Sequence, residues 1–450
     1  MKRKNLIRKI MASIVVLASI LINQGCKDRE PNAPIEIERP KILTMMPTEG
    51  ALVVPKNSEI RLVFDERMNL ETFPGRFLLK NYEGEVVEGT FSENDSIVIF
   101  KTKSGLAKST IYNAVLRGRV RDINNNSIGI NNEGVFDETM EITKGWFYTE
   151  GDYSDGGFYN IFIRDRKEGS VRRISNLDTV TATIGSFKAP EGMAISSDGK
   201  YLLISNTSAN EIAIIDLSSN EIVKRIATAA NPSSIVTNQN YAYCISVNGK
   251  KITKINTTSL AKDAELNLSF YPGKLAISDD GTILYTLDQV SRDLYLLNSS
   301  TGAVIKKITN VVQTIVLGEI KYDSQNQQLI ICDSKGLKIK AVDKNGTQVN
   351  IVQTLLTGNE PIEVAFSPSN ALVAAGKGII LYDRNLQNVV NTMMFSTSVK
   401  SITIVPTGEL IYANLATSTV IIDLKTFKIL KEINMVSSGI ESIITSPIKY

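Results

Sequence analysis

The chain has 450 residues, with 50 lysines and arginines against 47 acids and no histidine at all. Without an imidazole there is no Ser-His-Asp or Cys-His catalysis, no HExxH zinc site and no CxxCH haem attachment. The near balance of charge argues against nucleic acid as a partner.

Taken in chain order, the first residues speak to compartment. Met1–Lys9 carries Lys2, Arg3, Lys4, Arg8 and Lys9 with no acid, and the apolar run Ile10–Ile22 follows. A basic start and an apolar stretch too short for a comfortable span predict a secretory signal. Asn23-Gln24-Gly25-Cys26 ends it. A small residue before a cysteine at that place resembles a lipobox, although Asn23 stands where an apolar or small residue is usual. The resemblance implies a lipid on Cys26 and a membrane attachment through it. Two acyl chains anchor stably, each buried methylene adding about 0.8 kcal/mol. Lys27-Asp28-Arg29-Glu30 resembles the surface-export signal of lipoproteins in some Gram-negative lineages. The expectation is a lipoprotein signal peptide over 1–25, a proline-spaced tether over 26–40, and an outer-membrane anchor facing outward. With the five basic signal residues gone, 45 bases face 47 acids, a net charge of −2. No later segment is long and apolar enough to span a bilayer.

From Ile42 the pattern becomes short alternating strands. Ile60, Leu62 and Phe64 fall on one face of a strand, and Ile97-Val98-Ile99-Phe100 reads as a core strand. Glu83-Gly84, Asn94-Asp95 and Asp122-Ile123-Asn124-Asn125-Asn126 supply turns. About a hundred residues of this kind predict a β-sandwich. The segment Pro47–Met68, with Leu106-Ala107-Lys108-Ser109-Thr110-Ile111-Tyr112 and Trp146-Phe147-Tyr148-Thr149, resembles the bacterial Ig-like family named for the surface-layer protein SbsA. The resemblance covers 41–150 and implies a spacer or stalk module. In the family's Asp-x-x-Gly-Asn turn, Asn125 replaces glycine, a residue type that enters the left-handed region at modest cost. Oxygens at Asp122, Asn124 and Asn126 suggest a Ca²⁺ loop, but the acidic twelfth ligand is missing and the turn already has a family explanation.

After a polar junction at Gly151–Gly157 the chain repeats itself. Pro190–Gly199 recurs as Pro272–Gly281 and as Pro361–Asn370. Third strands end at Asp216, Asn256, Asn298, Asp343, Asp383 and Asp423, spaced by 40, 42, 45, 40 and 40 residues. Four short strands per such unit predict propeller blades. Innermost strands begin near Gly192, Ser233, Gly273, Gly318, Ile362, Lys400 and Ile440, and Tyr159–Ile184 aligns without gaps to Tyr201–Ile226. The expectation is an all-β chain, an N-terminal Ig-like β-sandwich followed by a seven-bladed β-propeller over 157–450. Strand 440–446 would complete the first blade. Asn210–Asp216 and Ile222–Ile226 resemble the YVTN family of propellers, which implies ligand binding more often than catalysis.

The residues aligned with Gly192 are Ser234, Lys274, Glu319, Glu363, Ser401 and Ser442, which bring Lys274, Glu319 and Glu363 to one place in the channel. A second ring, at the ends of second strands, holds Asn206, Asp288, Asp333 and Asn414, with Arg292, Lys335 and Lys377 in nearby loops. Lys274, Glu319, Glu363, Asp288 and Asp333 are therefore the candidate binding residues. Hydrated channel linings and Asx turns explain the same residues without a ligand. No catalytic residue, metal or cofactor is assigned. Cys244 and Cys332, each in an apolar run, read as buried free thiols.

The function expected is a non-catalytic cell-envelope protein binding a glycan, peptide or protein, with the Ig-like domain as spacer. The alternative is a metal-dependent hydrolase of the lactonase kind, with Glu319 and Glu363 as ligands. A redox subunit is the third class, needing a bound quinone or partner. Trp146 is the only tryptophan, so sugar-stacking platforms would come from Tyr271, Tyr285 or Tyr295.

Overall fold

The computed structural model describes residues 39–108, 110–128, 141–149, 159–175, 179–314, 318–356, 358–406, 408–435 and 439–449. The expected signal, Cys26, the export-type tract and the junction at 151–157 lie outside the described residues. Within them the chain is all-β, and no helix is long and apolar enough to cross a membrane.

Eight strands between Ile42 and Thr149 form two four-stranded sheets. One runs Ile42–Met46, Ile60–Phe64, Ile97–Thr102 and Gly89–Asn94 in spatial order, the other Ala51–Val54, Glu141–Thr149, Ile111–Arg117 and Phe77–Asn81. The period of two in Ile60-Arg61-Leu62-Val63-Phe64 sets which side chains turn inward. Ile60, Leu62 and Phe64 are buried between the sheets with Phe77, Leu79, Val98, Phe100, Ala114 and Leu116. Phe73, Phe77, Phe91 and Phe100 pack ring against ring, with Phe91 and Phe100 centroids 5.0 Å apart. In the Asp122 turn the carboxylate accepts from the Asn126 backbone and side-chain amides, both at 2.7 Å. Asn125 takes φ 74° there. That carboxylate is occupied by the turn.

Seven further four-stranded sheets are arranged as blades. Blades 2 to 7 occupy residues 190–227, 232–267, 272–308, 320–354, 361–394 and 401–434. Blade 1 is composite: Tyr159–Asp165, Ser170–Ser175 and Thr179–Ile184 take their innermost partner, Ile440–Lys449, from the far end of the chain. Ile443 stands opposite Ile163 and Ile444 opposite Phe162. The repeating aspartates and asparagines end each third strand by one mechanism. The side chains of Asp216, Asn256, Asn298, Asp343, Asp383 and Asp423 all accept a backbone N–H two to four residues on. Each turn then closes through a positive-φ residue: Asn220, Leu260, Gly302, Gly346, Leu386 and Phe427. This Asx chemistry explains why the period is so regular.

The two domains meet over a shared apolar cluster. Ile111 and Tyr148 of the sandwich are buried with Val405, Leu410, Tyr412, Ile161 and Ile163 of the propeller, and Trp146, Leu52 and Tyr82 pack at the margin. The Lys425 ammonium lies 4.4 Å from the Tyr82 ring centroid. Burial pushes the Asp423 carboxyl up, while hydrogen bonds from Thr426 and from the Tyr148 hydroxyl pull it back. Val405 and Tyr159 lie where first and second strands of a blade join, so the sandwich docks on that face, at the seam between blades 7 and 1.

Trp146 reports on this seam. Tyr148→Ala is expected to cost about 3 kcal/mol, the usual range for emptying an aromatic site in a core. It should also separate the urea transition of Trp146 fluorescence from the far-ultraviolet dichroism transition of the propeller. Coincident, unshifted transitions in the variant would show that the domains do not depend on this contact.

Candidate functional site

Each innermost strand runs from one face of the ring to the other, so residues at one repeat position form a layer of the channel. At the Gly192 layer the chain brings Lys274, Glu319 and Glu363 together on blades 4, 5 and 6. They engage their neighbours in succession. The Ser234 hydroxyl of blade 3 accepts from Leu275 N–H of blade 4 at 3.3 Å. The Lys274 ammonium forms a close ion pair with Glu319 of blade 5. Glu319 N–H donates to the Ile362 carbonyl of blade 6 at 2.8 Å. Glu363 Oε2 accepts from Ser401 Oγ at 2.6 Å and from Ile402 N–H at 3.0 Å, both on blade 7. Ser401 Oγ in turn accepts from Ile443 N–H of blade 1 at 3.1 Å. The layer therefore acts as a chain of staples from blade to blade.

Between blades 2 and 3 the staple is the close approach of backbones. A Cβ built on Gly192 would lie 1.9 Å from the Ser233 carbonyl oxygen, nearer than any real contact. Gly192 is therefore required by space. Thr207 Oγ1 donates to the Pro232 carbonyl, and Thr237 Oγ1 to the Ile195 carbonyl, both at 2.7 Å across the same boundary.

The electrostatics follow from this crowding. Burial alone would lower the Lys274 pKa, but Glu319 in direct contact and Glu191 nearby hold it above its ordinary value. Arg164, buried in blade 1 and paired with Glu441 at 3.0 Å, is lowered by burial. Glu363 is raised by burial, and Lys321, Ser401 and Ile402 only partly offset this.

Asp288 and Asp333 occupy a different place. Asp288 accepts from Val290 N–H at 3.0 Å and from Ser291 Oγ at 2.6 Å. Asp333 accepts from Gln313 N–H at 3.0 Å and pairs with Lys340 at 2.7 Å. Both end second strands and organise turns there. Asn206 does likewise, accepting from Lys188 N–H at 2.5 Å. Among the described residues no three metal-binding side chains gather. Cys244 and Cys332 are buried free thiols, each pushed up by burial. Tyr285 is buried against Tyr322, Tyr295 stacks on Phe270, and the ring of the exposed Tyr271 is covered by Lys250 at 4.1 Å.

Beyond the stapled layer the innermost strands line an open cavity of about 480 Å³. Its wall includes Ile195, Thr237, Ile277, Tyr322 and Thr445, with Val236, Leu275, Ile320, Lys321 and Ile444. The first five stand three residues after Gly192, Ser234, Lys274, Glu319 and Ser442, one on each of five blades. None of these five is charged, so they do not stand out beside the charged positions of the repeats. Their signal was present in the same alignment, three columns further on. The size and lining suit a ligand pocket.

Comparison with known proteins places these features. Residues 36–138 match the family described as bacterial Ig-like domain. The whole sequence has no match among curated proteins. Among solved structures, the chain is similar to Kuenenia stuttgartiensis hydrazine synthase, with a TM-score of 0.51 at 16% identity over 62% of this chain and 92% of that chain. Dihydro-heme d1 dehydrogenase NirN in complex with DHE is matched with a TM-score of 0.49 at 10% identity, over 64% of this chain and 75% of that chain. At 16% identity the likeness to the hydrazine synthase concerns the fold alone, which is propeller-like.

Two variants test the layer. Gly192→Ala should destabilise the chain by about 1–3 kcal/mol, the range for overpacking, and an unchanged urea midpoint would contradict the close approach to Ser233. Glu363→Gln keeps an acceptor for Ser401 and Ile402 while removing the ionisation. A carboxyl raised in the folded state means that folding retains a proton, so wild-type stability falls as pH climbs from the ordinary carboxylate range towards the folded value. The glutamine variant escapes that loss. Its thermal midpoint relative to wild type should therefore be higher at about pH 7.5 than at about pH 4, and a constant difference would contradict the burial of this group.

Proposed function

We propose that this chain is a lipid-anchored protein of the cell envelope, displayed outward, whose propeller binds a ligand or partner without transforming it. The observation that carries the binding reading is the cavity at the end of the channel, formed by the innermost strands of five blades. It has the volume and the mixed apolar and hydroxyl lining of a binding pocket. The anchoring reading rests on the basic, apolar and Gly25-Cys26 sequence at the start of the chain. In this reading the sandwich is an SbsA-type Ig-like domain, the propeller is of the YVTN kind, and the sandwich holds the channel away from the bilayer.

Metabolic labelling with palmitate, followed by surface proteolysis of intact cells, tests it. The wild type should carry label and be cleaved without lysis, and Cys26→Ala should carry none. Label that persists in Cys26→Ala would remove the lipid assignment. Full protection of a labelled wild type would place the protein on the inner side of the outer membrane and overturn the reading of Lys27–Glu30.

A further inference from the structure

The chemistry of the cavity can be taken one step further than its shape. Apolar wall comes from every contributing blade: Ile195, Val236, Ile277, Ile320 and Ile444. Among the lining residues Lys321 alone carries a charge. It is exposed, whereas the other channel cations are engaged, Lys274 by Glu319 and Arg164 by Glu441. Lys321 makes no ion pair among the described residues, and Glu363, on which its charge acts, already accepts two hydrogen bonds from blade 7. An exposed ammonium on an apolar wall is a sorting device. Apolar area contributes affinity of either charge type, roughly 25 cal/mol per Å² buried. A fixed positive charge at the edge of low-dielectric surroundings favours one sign and penalises the other.

We propose that the cavity takes a small amphiphilic anion, an acyl or aryl chain bearing a carboxylate. Its chain lies against Ile195, Ile277, Ile320 and Ile444, and its carboxylate meets the Lys321 ammonium. This assignment rests on the reading of the propeller channel as the binding site.

Calorimetric titration of residues 27–450 with octanoate, octan-1-ol and octylamine tests it, since the three share a chain and differ in charge. Octanoate should bind about tenfold or more tightly than octan-1-ol, and octylamine most weakly. Lys321→Met should bring octanoate down to the level of octan-1-ol and leave octan-1-ol unchanged. Lys335→Met, in a turn outside the cavity, should alter neither. Equal affinity for the three chains, or octanoate binding that survives Lys321→Met, overturns the anion assignment while leaving a binding cavity. Absence of binding by all three overturns the assignment together with the cavity as a site for apolar ligands.

Discussion

Pairing of Ile440–Lys449 with Tyr159–Asp165 converts a row of sheets into a ring, and the channel, its stapled layer and the cavity exist only through it. The pairing joins residues nearly the whole propeller apart in sequence. Loop-closure entropy grows only slowly with length, so a distant strand closes the ring at little more cost than a near one. What closure removes is an open sheet edge at each end of the repeats, with its row of unpaired backbone groups. It also buries Ile163 and Ile443 against each other in the same cluster that receives the sandwich.

Closure accounts for the use the channel makes of its polar residues. Seven sheets brought around an axis approach most closely at their innermost strands, where side chains must be small or must satisfy one another. Gly192 illustrates the first solution, with Ser233 in the space a side chain would fill. Lys274 with Glu319, and Glu363 with Ser401, illustrate the second. Charges held this way are half-buried, and each faces its partner on the next blade. Three residues further along, the strands line a cavity whose wall is apolar and hydroxyl-bearing, with one charge.

The docked sandwich follows from the same seam. The last sandwich strand, Glu141–Thr149, places Tyr148 against Tyr412 and Asp423 on blade 7, beside the composite blade 1. A buried tyrosine is well suited to such a junction, apolar along the ring and polar at the tip. The Ig-like domain is thus packed on the face where first and second strands join, with Lys425 over Tyr82 at the margin.

Much of this architecture is local and so could be read from residue order. The inward face of Ile60, Leu62 and Phe64 comes from strand pleating, and the Asx residues that end third strands close turns through backbone groups a few positions away. Both interactions act within one segment, which is why repeat period and strand pattern led to an all-β sandwich and propeller. Partners of the candidate site residues were a different matter. That Glu363 would be held by Ser401, 38 positions on, depends on how closely blades approach after the ring has closed. The cavity and the Tyr148 junction depend on the same geometry. Residue order determined the strands, the turns and the repeat. Tertiary structure alone decided which polar groups are spent on neighbours and where space is left for a ligand, because those outcomes depend on distances between blades that no single segment encodes.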